Sequence, residues 1–329
     1  MGANKNLSIE ESEQFSIENP LYEQNSPKFE LIGKLQRKEL RLSYTKLKHL
    51  SSPINFMDAI LNPKKRNAGM SLGSVVDCLL LTENEFESKF TVIEHTPTTD
   101  KQNEFVELVF KKMNLEPIAN LEAKFKEAIA EGFSRVKTDG LEVYCKAILE
   151  GKEVISNDMY ENAKRITENL KNSDEVCDQL MQVEDFQKKL EFNYKGWNFI
   201  CYLDTYHKNG FDDLKFASDC NPDKFSRDIE KFGYDIQIGV YAIGLEIIDG
   251  NFNPIVNHIV YDAIGNYAVL HIDSAYVNYC KKKVDFLIAC VDKMVKENGY
   301  NKSYNFFRNR NTIYKPNWSK GFDMTIFED

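Results

Sequence analysis

The strongest constraint on this chain is a change of period near Phe186. Between residues 102 and 182 apolar side chains recur at three and four positions, in QNEFVELVFKKM, NLEAKFKEAIAEGF, LEVYCKAILEG and SNDMYENAKRITENLK, which predicts a run of helices. From FQKKLEFNY through WNFICYLDTY the apolar residues alternate instead. Lys195-Gly196 between the two segments suits the tight turn of a β-hairpin. A third strand, DDLKFA, follows the loop Lys208-Asn209-Gly210. Helices over about 222–231 and 234–248, strands at NHIVYDAI and YAVLHID, and a long helix over 274–297 complete the order. Helices on either side of a central mixed sheet make an α/β (α+β) fold with a helical insertion over about 100–182, not a bundle or a solenoid.

Upstream of the insertion the chain is punctuated by charge. Residues 1–33 read as a flexible acidic arm, with Glu10, Glu11, Glu13, Glu18, Glu23 and Glu30 and little apolar periodicity. From Lys34 to Lys48 the sign reverses, Glu39 being the one acid among Lys34, Arg37, Lys38, Arg41, Lys46 and Lys48; Lys64-Lys65-Arg66 follow. This basic stretch is either a solvated helix face or a nucleic-acid contact. Ser43 reads as the N-cap of a short helix through Leu50, and Ser52-Pro53 starts another. SLGSVVDCLLL, residues 71–81, is an apolar helix interrupted by Asp77. A main domain over 34–298 is followed by a segment, 299–329, that is basic and aromatic.

Composition removes several classes of function. With 42 Lys+Arg against 51 Asp+Glu, the net charge of −9 argues against indiscriminate coating of nucleic acid. No apolar run approaches the ~20 residues that span a bilayer, and the first fifteen residues lack a secretory apolar stretch, so a cytoplasmic protein without a membrane partner is expected. The seven cysteines are scattered, with no C-x-x-C spacing for zinc or an iron–sulfur cluster.

The chemistry concentrates in residues 191–241. Asp204 ends the second hairpin strand, and Asp213-Leu214-Lys215 lies in the next. Residues two apart on a strand share a face, so Asp213 and Lys215 point one way and Leu214 the other. Adjacent strands would bring Asp204 beside Asp213, and two desolvated carboxylates repel unless a cation lies between them. Oxygen donors without His or Cys favour Mg2+ or Mn2+ over zinc. Such an ion polarises a phosphoryl oxygen and activates water, while Lys215 neutralises developing charge; together these describe hydrolysis of a phosphodiester. A D-x-K tripeptide alone is common by chance. Its company is less so: Glu191 on the first hairpin strand offers another oxygen ligand, and Gln237 and Tyr241, four apart on a helix, face one side.

In that order, Glu191, Asp204, Asp213-x-Lys215 and Gln237-x-x-x-Tyr241 resemble the PD-(D/E)XK nucleases and their RecB-like branch. LSYTKLKHLSSPINFMDAIL and SLGSVVDCLLLTENEFESKF resemble the opening blocks of the phage and prophage RecE-type exonucleases, exodeoxyribonuclease VIII among them. The likeness runs from about Leu42 to the strands near 270. It implies a restriction-endonuclease-like core in which Asp77, Glu191, Asp204 and Asp213 are metal ligands for Mg2+ (or Mn2+). Lys215 is then the catalytic lysine, and Gln237 and Tyr241 position the substrate. The chain departs from the pattern twice. Asp77 stands where the family usually has histidine, as a substitute ligand or as a capped or salt-bridged acid, and Phe216 stands where threonine commonly follows the lysine. The resemblance further implies resection of double-stranded DNA from an end, 5′→3′, a homo-oligomeric ring and a single-strand annealing partner. Lys46, Lys48, Arg308, Arg310 and Lys315 are the candidate DNA contacts. The C-terminal basic and aromatic residues either meet DNA or pack on the core. A catalytically silent DNA-end-binding or scaffold protein and an endonuclease of the same superfamily are the alternatives.

Overall fold

The computed structural model of the protein describes residues 26–63, 68–116 and 120–307. Arg308, Arg310, Lys315, the Lys64-Lys65-Arg66 run and most of the acidic arm lie outside the described residues.

In chain order the elements are helices α1 (Pro27–Gln36), α2 (Tyr44–Leu47), α3 (Pro53–Leu61), α4 (Ala68–Leu81) and α5 (Phe86–Lys89), strand β1 (Phe90–Ile93), then helices α6 (Asp100–Leu115), α7 (Leu121–Ala128) and α8 (Leu141–Leu149). Strand β2 (Glu153–Ser156) and helices α9 (Asn157–Lys171) and α10 (Asp174–Leu180) precede strands β3 (Asp185–Tyr194), β4 (Trp197–Tyr206) and β5 (Gly210–Phe216). Helices α11 (Pro222–Phe232) and α12 (Tyr234–Asp249), strands β6 (Ile255–Tyr261) and β7 (Tyr267–Ile272) and helix α13 (Ser274–Lys296) follow. Among the described residues no helix is long and apolar enough to cross a membrane.

The chain divides into two compact units, one of residues 1–63, 195–198 and 284–329, the other of residues 64–194 and 199–283. In the first, Ser26 caps α1 by accepting from Phe29 N–H, Pro27 opens the helix, and Leu31, Ile32 and Leu35 are buried. The acidic arm therefore ends earlier than its composition suggests: residues 27–33 are helical because an apolar stripe underlies their charges. The helix expected from Ser43 to Leu50 is a single turn. Ser43 does not cap it; its Oγ lies 2.7 Å from Thr45 Oγ1. Trp197 is the buried centre of this unit, its indole N–H donating to Asp292 Oδ1 at 3.0 Å with Lys38 above the ring.

The second unit holds three sheets: β1 beside β2, the β3–β4 hairpin, and β5-β6-β7. The last is mixed, β5 running parallel to β6 and β6 antiparallel to β7. Gly210 starts β5 so close to β6 that a Cβ would fall 1.8 Å from the Ile255 carbonyl oxygen, which excludes any other residue there. The main core gathers Leu72, Val75, Val76 and Leu79 of α4, Ile166 and Leu170 of α9, and Leu214, Ile259 and Tyr261 of the sheet. The insertion closes its own small core around Phe105, Val109, Phe125, Leu141 and Cys145, where Phe105 meets Phe125 edge to face at 4.8 Å.

The insertion is not purely helical. Glu-Val-Ile-Ser at 153–156 forms β2 and pairs in parallel with β1, in the register Val92 with Ile155. Four residues are too few to display a period, so tertiary pairing decided this strand.

Candidate active site

β4 ends in the region that matters. Asp204 is partly buried beside β5, and its Oδ2 accepts the Leu214 backbone N–H at 2.9 Å. β4 and β5 are thus joined by this side-chain bond, by Thr205 Oγ1 to Asp212, and by one bridge between His207 and Gly210. Asp204 therefore lies against the Leu214 amide, one position along from the Asp213 that simple strand pairing suggested.

On the face of β5 toward α12, Asp213 and Lys215 form a buried ion pair. Gln237 of α12 uses both amide hydrogens, one to Asp213 Oδ1 at 2.8 Å and one to the Tyr241 hydroxyl at 2.9 Å. Their spacing of four residues puts these two side chains on one helix face, and Tyr241 also packs edge-on to Phe211 of β5. The Gln237 Oε1 is buried without a hydrogen-bond partner. Lys215 Nζ also stands 4.8 Å from the centre of the Tyr234 ring. His258, the cross-strand neighbour of Asp213, has its pKa pushed down to about 3 by burial and by Lys215. It is a neutral imidazole at physiological pH, not an imidazolium acid.

Asp77 enters from α4. Burial, and after it the charge of Asp204, push its pKa well above the ordinary carboxylate value. Burial and then Asp213 raise Asp204 to about 7. The Tyr261 hydroxyl lies 2.8 Å from Asp77 Oδ1 and 3.2 Å from the Gly73 carbonyl. Phe216 packs on Tyr261 with ring centres 5.9 Å apart, and its Cβ sits against Gly73. The two departures from the nuclease pattern, Asp77 and Phe216, therefore meet at one tyrosine. Asp77, partly buried, is held by the Tyr261 hydroxyl, a capping contact and not a salt bridge.

Asp77 and Asp204 line a cavity of about 500 Å3 together with Gln187, Glu153, Ser88 and Lys89. Sequence reading had found neither Gln187 nor Glu153. For Glu153 the sequence held no signal; Gln187 was findable, since it lies eight residues before Lys195 as Asp204 lies eight after Gly196. Glu191, by contrast, does not join the carboxylates. Its strand neighbours Leu190 and Phe192 pack on α12 at Gly244, so alternation turns Glu191 the other way, where it is half-exposed and paired with Lys189 at 3.1 Å.

Lys46 and Lys48 belong to the other unit. Lys46 is half-buried and donates to the Arg41 carbonyl at 2.8 Å, its pKa lowered by burial. Lys48 is exposed, 5.7 Å from the centre of the Tyr44 ring.

Among the described residues no three His, Cys, Asp or Glu side chains stand close enough together to hold an ion as placed. The donor chemistry nevertheless fits a hard divalent cation. Asp77 and Asp204 are desolvated carboxylates on the wall of one cavity, the charge of Asp204 raises Asp77, and a cation between them would relieve that repulsion.

No curated protein matches this chain. Among solved structures, one from Eubacterium rectale, described as a "Putative exonuclease", is similar over 91% of this chain and 96% of its own, with 12% identity and a TM-score of 0.48. Residues 43–302 match the family described as "PDDEXK-like domain of unknown function (DUF3799)", and the chain belongs to that family.

Proposed function

We propose that the protein is a Mg2+- or Mn2+-dependent deoxyribonuclease that degrades double-stranded DNA from its ends in the manner of the RecE-like exonucleases. The observation that carries this is the buried Asp213–Lys215 pair, bridged to α12 by Gln237, with the raised carboxylates Asp204 and Asp77 at the cavity wall. An oxygen-lined metal supplies charge neutralisation at phosphate and a more acidic bound water. Asp77, Asp204 and Asp213 are the residues that would hold it. The Lys215 ammonium, kept in place by Asp213 and the Tyr234 ring, faces the negative charge that grows on phosphate during attack. Gln237 has spent its hydrogens on Asp213 and Tyr241, so its free Oε1 accepts a proton-bearing partner and orients the attacking water.

An acidic cavity repels phosphate until a cation is bound, so activity is expected to vanish in chelator. The 5′→3′ direction, a homo-oligomeric ring and a single-strand annealing partner belong to the same reading. Incubation of purified protein with linear duplex DNA and with covalently closed circles, with Mg2+ and with EDTA, tests it. Loss of linear duplex alone, dependent on Mg2+ and abolished in Lys215→Met, is the expected result. Cleavage of the circles identifies an endonuclease, and intact linear duplex in the folded wild type removes the catalytic reading. A silent DNA-end-binding or scaffold protein is the second reading, favoured by Asp77 where the related nucleases carry histidine; it binds linear duplex without shortening it.

A further inference from the structure

We propose that Gln187 is a positioning residue of the active site, fixing the Asp204 carboxylate in the place the sequence reading gave to Glu191. The proposal rests on the nuclease reading above. Its structural basis is a one-residue bulge in β3. The two-residue turn at Lys195-Gly196, both left-handed, sets the hairpin register. Phe192 and Phe199, each three residues from that turn, stack face to face at 5.3 Å, as the register requires. Gln187 and Asp204 are each eight residues from it, and their side chains are bonded.

Past them the register slips, for the Glu184 backbone N–H donates to the Tyr206 carbonyl. Between the Phe192–Phe199 stack and that bond eight residues of β3 run against seven of β4, so β3 carries one extra residue. It falls at Gln187, whose φ of +52 is left-handed. A non-glycine residue in that region inside a strand is unfavourable, and bulges of this kind re-aim side chains beside reactive sites. Here the re-aimed carboxamide donates from Nε2 to Asp204 Oδ1 at 3.2 Å, while Oδ2 takes the Leu214 N–H. With both oxygens held, the plane of the carboxylate is set. A neutral amide does this without adding a negative charge to a site that already confines Asp77 and Asp204. A glutamate at this point would add one.

The test uses the full chain and Gln187→Met, which keeps the length of the side chain and removes the N–H. Calorimetric titration with Mn2+ is expected to show affinity weakened ~10-fold or more, and kcat on linear duplex to fall similarly with KM unchanged, as when a group behind a metal ligand is lost. The Gln187 side-chain amide should also give a shifted, slowly exchanging 15N–H signal that disappears in the variant. Should Gln187→Met fail to fold, Gln187→Gly suits the left-handed backbone and carries the same expectation. Mn2+ affinity equal to wild type in a folded variant overturns the proposal. If wild type binds Mn2+ more tightly than the variant but neither cleaves DNA, the nuclease reading fails and the positioning role stands. If both cleave equally, the role fails and the nuclease reading stands. A wild type that binds no Mn2+ at millimolar concentration overturns both.

Discussion

Asp212 and Asp213 are consecutive residues of one type, buried to 0% and 1% exposure, on opposite faces of β5. Asp212 meets an amide and a hydroxyl, with His207 Nε2 3.6 Å from its Oδ1. Asn257, its partner across the parallel pairing to β6, donates to Oδ1 at 2.8 Å, and Thr205 Oγ1 lies 3.2 Å from Oδ2. Asn257 continues the network to Gln179 and His271. Asp213 instead meets an ammonium and an amide whose other groups point to chemistry, and it adds to the charge that raises Asp204. The contrast separates two uses of a buried carboxylate. One satisfied by neutral donors fixes strand pairing, whereas one placed among charges stores repulsion that a cation can release.

Four experiments act on that contrast. The largest effect is expected from Lys215→Met, which removes the charge on the reactive face: hydrolysis of linear duplex should fall by ~10^2–10^3 or more. If Asp212→Ala lowers the rate per folded molecule as much, the two faces are not functionally distinct.

Next comes pH. Asp204 titrates at about 7 in the folded chain because burial, and then Asp213, favour its neutral form, against an ordinary value of 3.8. Its contribution to stability is thus fully present below about 4 and lost as pH rises through about 7. In chelator, Tm should fall across that window as up to about 4 kcal/mol of stability is lost, and Asp77, also raised, prolongs the decline upward. Asp204→Asn should remove most of the slope, and Asp212→Asn should leave it. A slope that survives Asp204→Asn assigns the repulsion elsewhere.

Asp212→Ala is the third experiment. It strands the Asn257 amide and the Thr205 hydroxyl, and chemical denaturation should show a loss of about 1–3 kcal/mol with the activity of the folded fraction kept. The smallest effect belongs to Tyr261→Phe. Its hydroxyl is bonded to Asp77, so stability should drop by about 0.5–1.5 kcal/mol and the pH-dependent decline in chelator should extend further upward, since that bond holds the Asp77 pKa down. An unchanged decline would mean that Tyr261 does not set the state of Asp77.

Much of this site is legible before folding is considered. The period of two puts Asp213 and Lys215 on one face of β5, and the spacing of four puts Gln237 and Tyr241 on one face of α12. Both are properties of backbone geometry that any fold preserves. The same reasoning failed for Glu191 because sharing a face is not reaching a site: with Phe192 stacked on Phe199, Glu191 lies across from Ile200, on the Asp204 side of the hairpin but four residues short of it. It also passed over Gln187, although counting eight residues either way from the turn sets it against Asp204. Glu153 reached the cavity through a four-residue strand with no readable period, and Tyr261 reached Asp77 across 184 residues of chain.

The sequence by itself thus determined the order of elements and the chemical kinds of side chain on each face, because local periodicity is enforced by the backbone. Only the tertiary structure decided which face closes on the cavity and which oxygen of Asp204 each donor holds. Those distances depend on packing between elements far apart in the chain and on a single left-handed residue in β3.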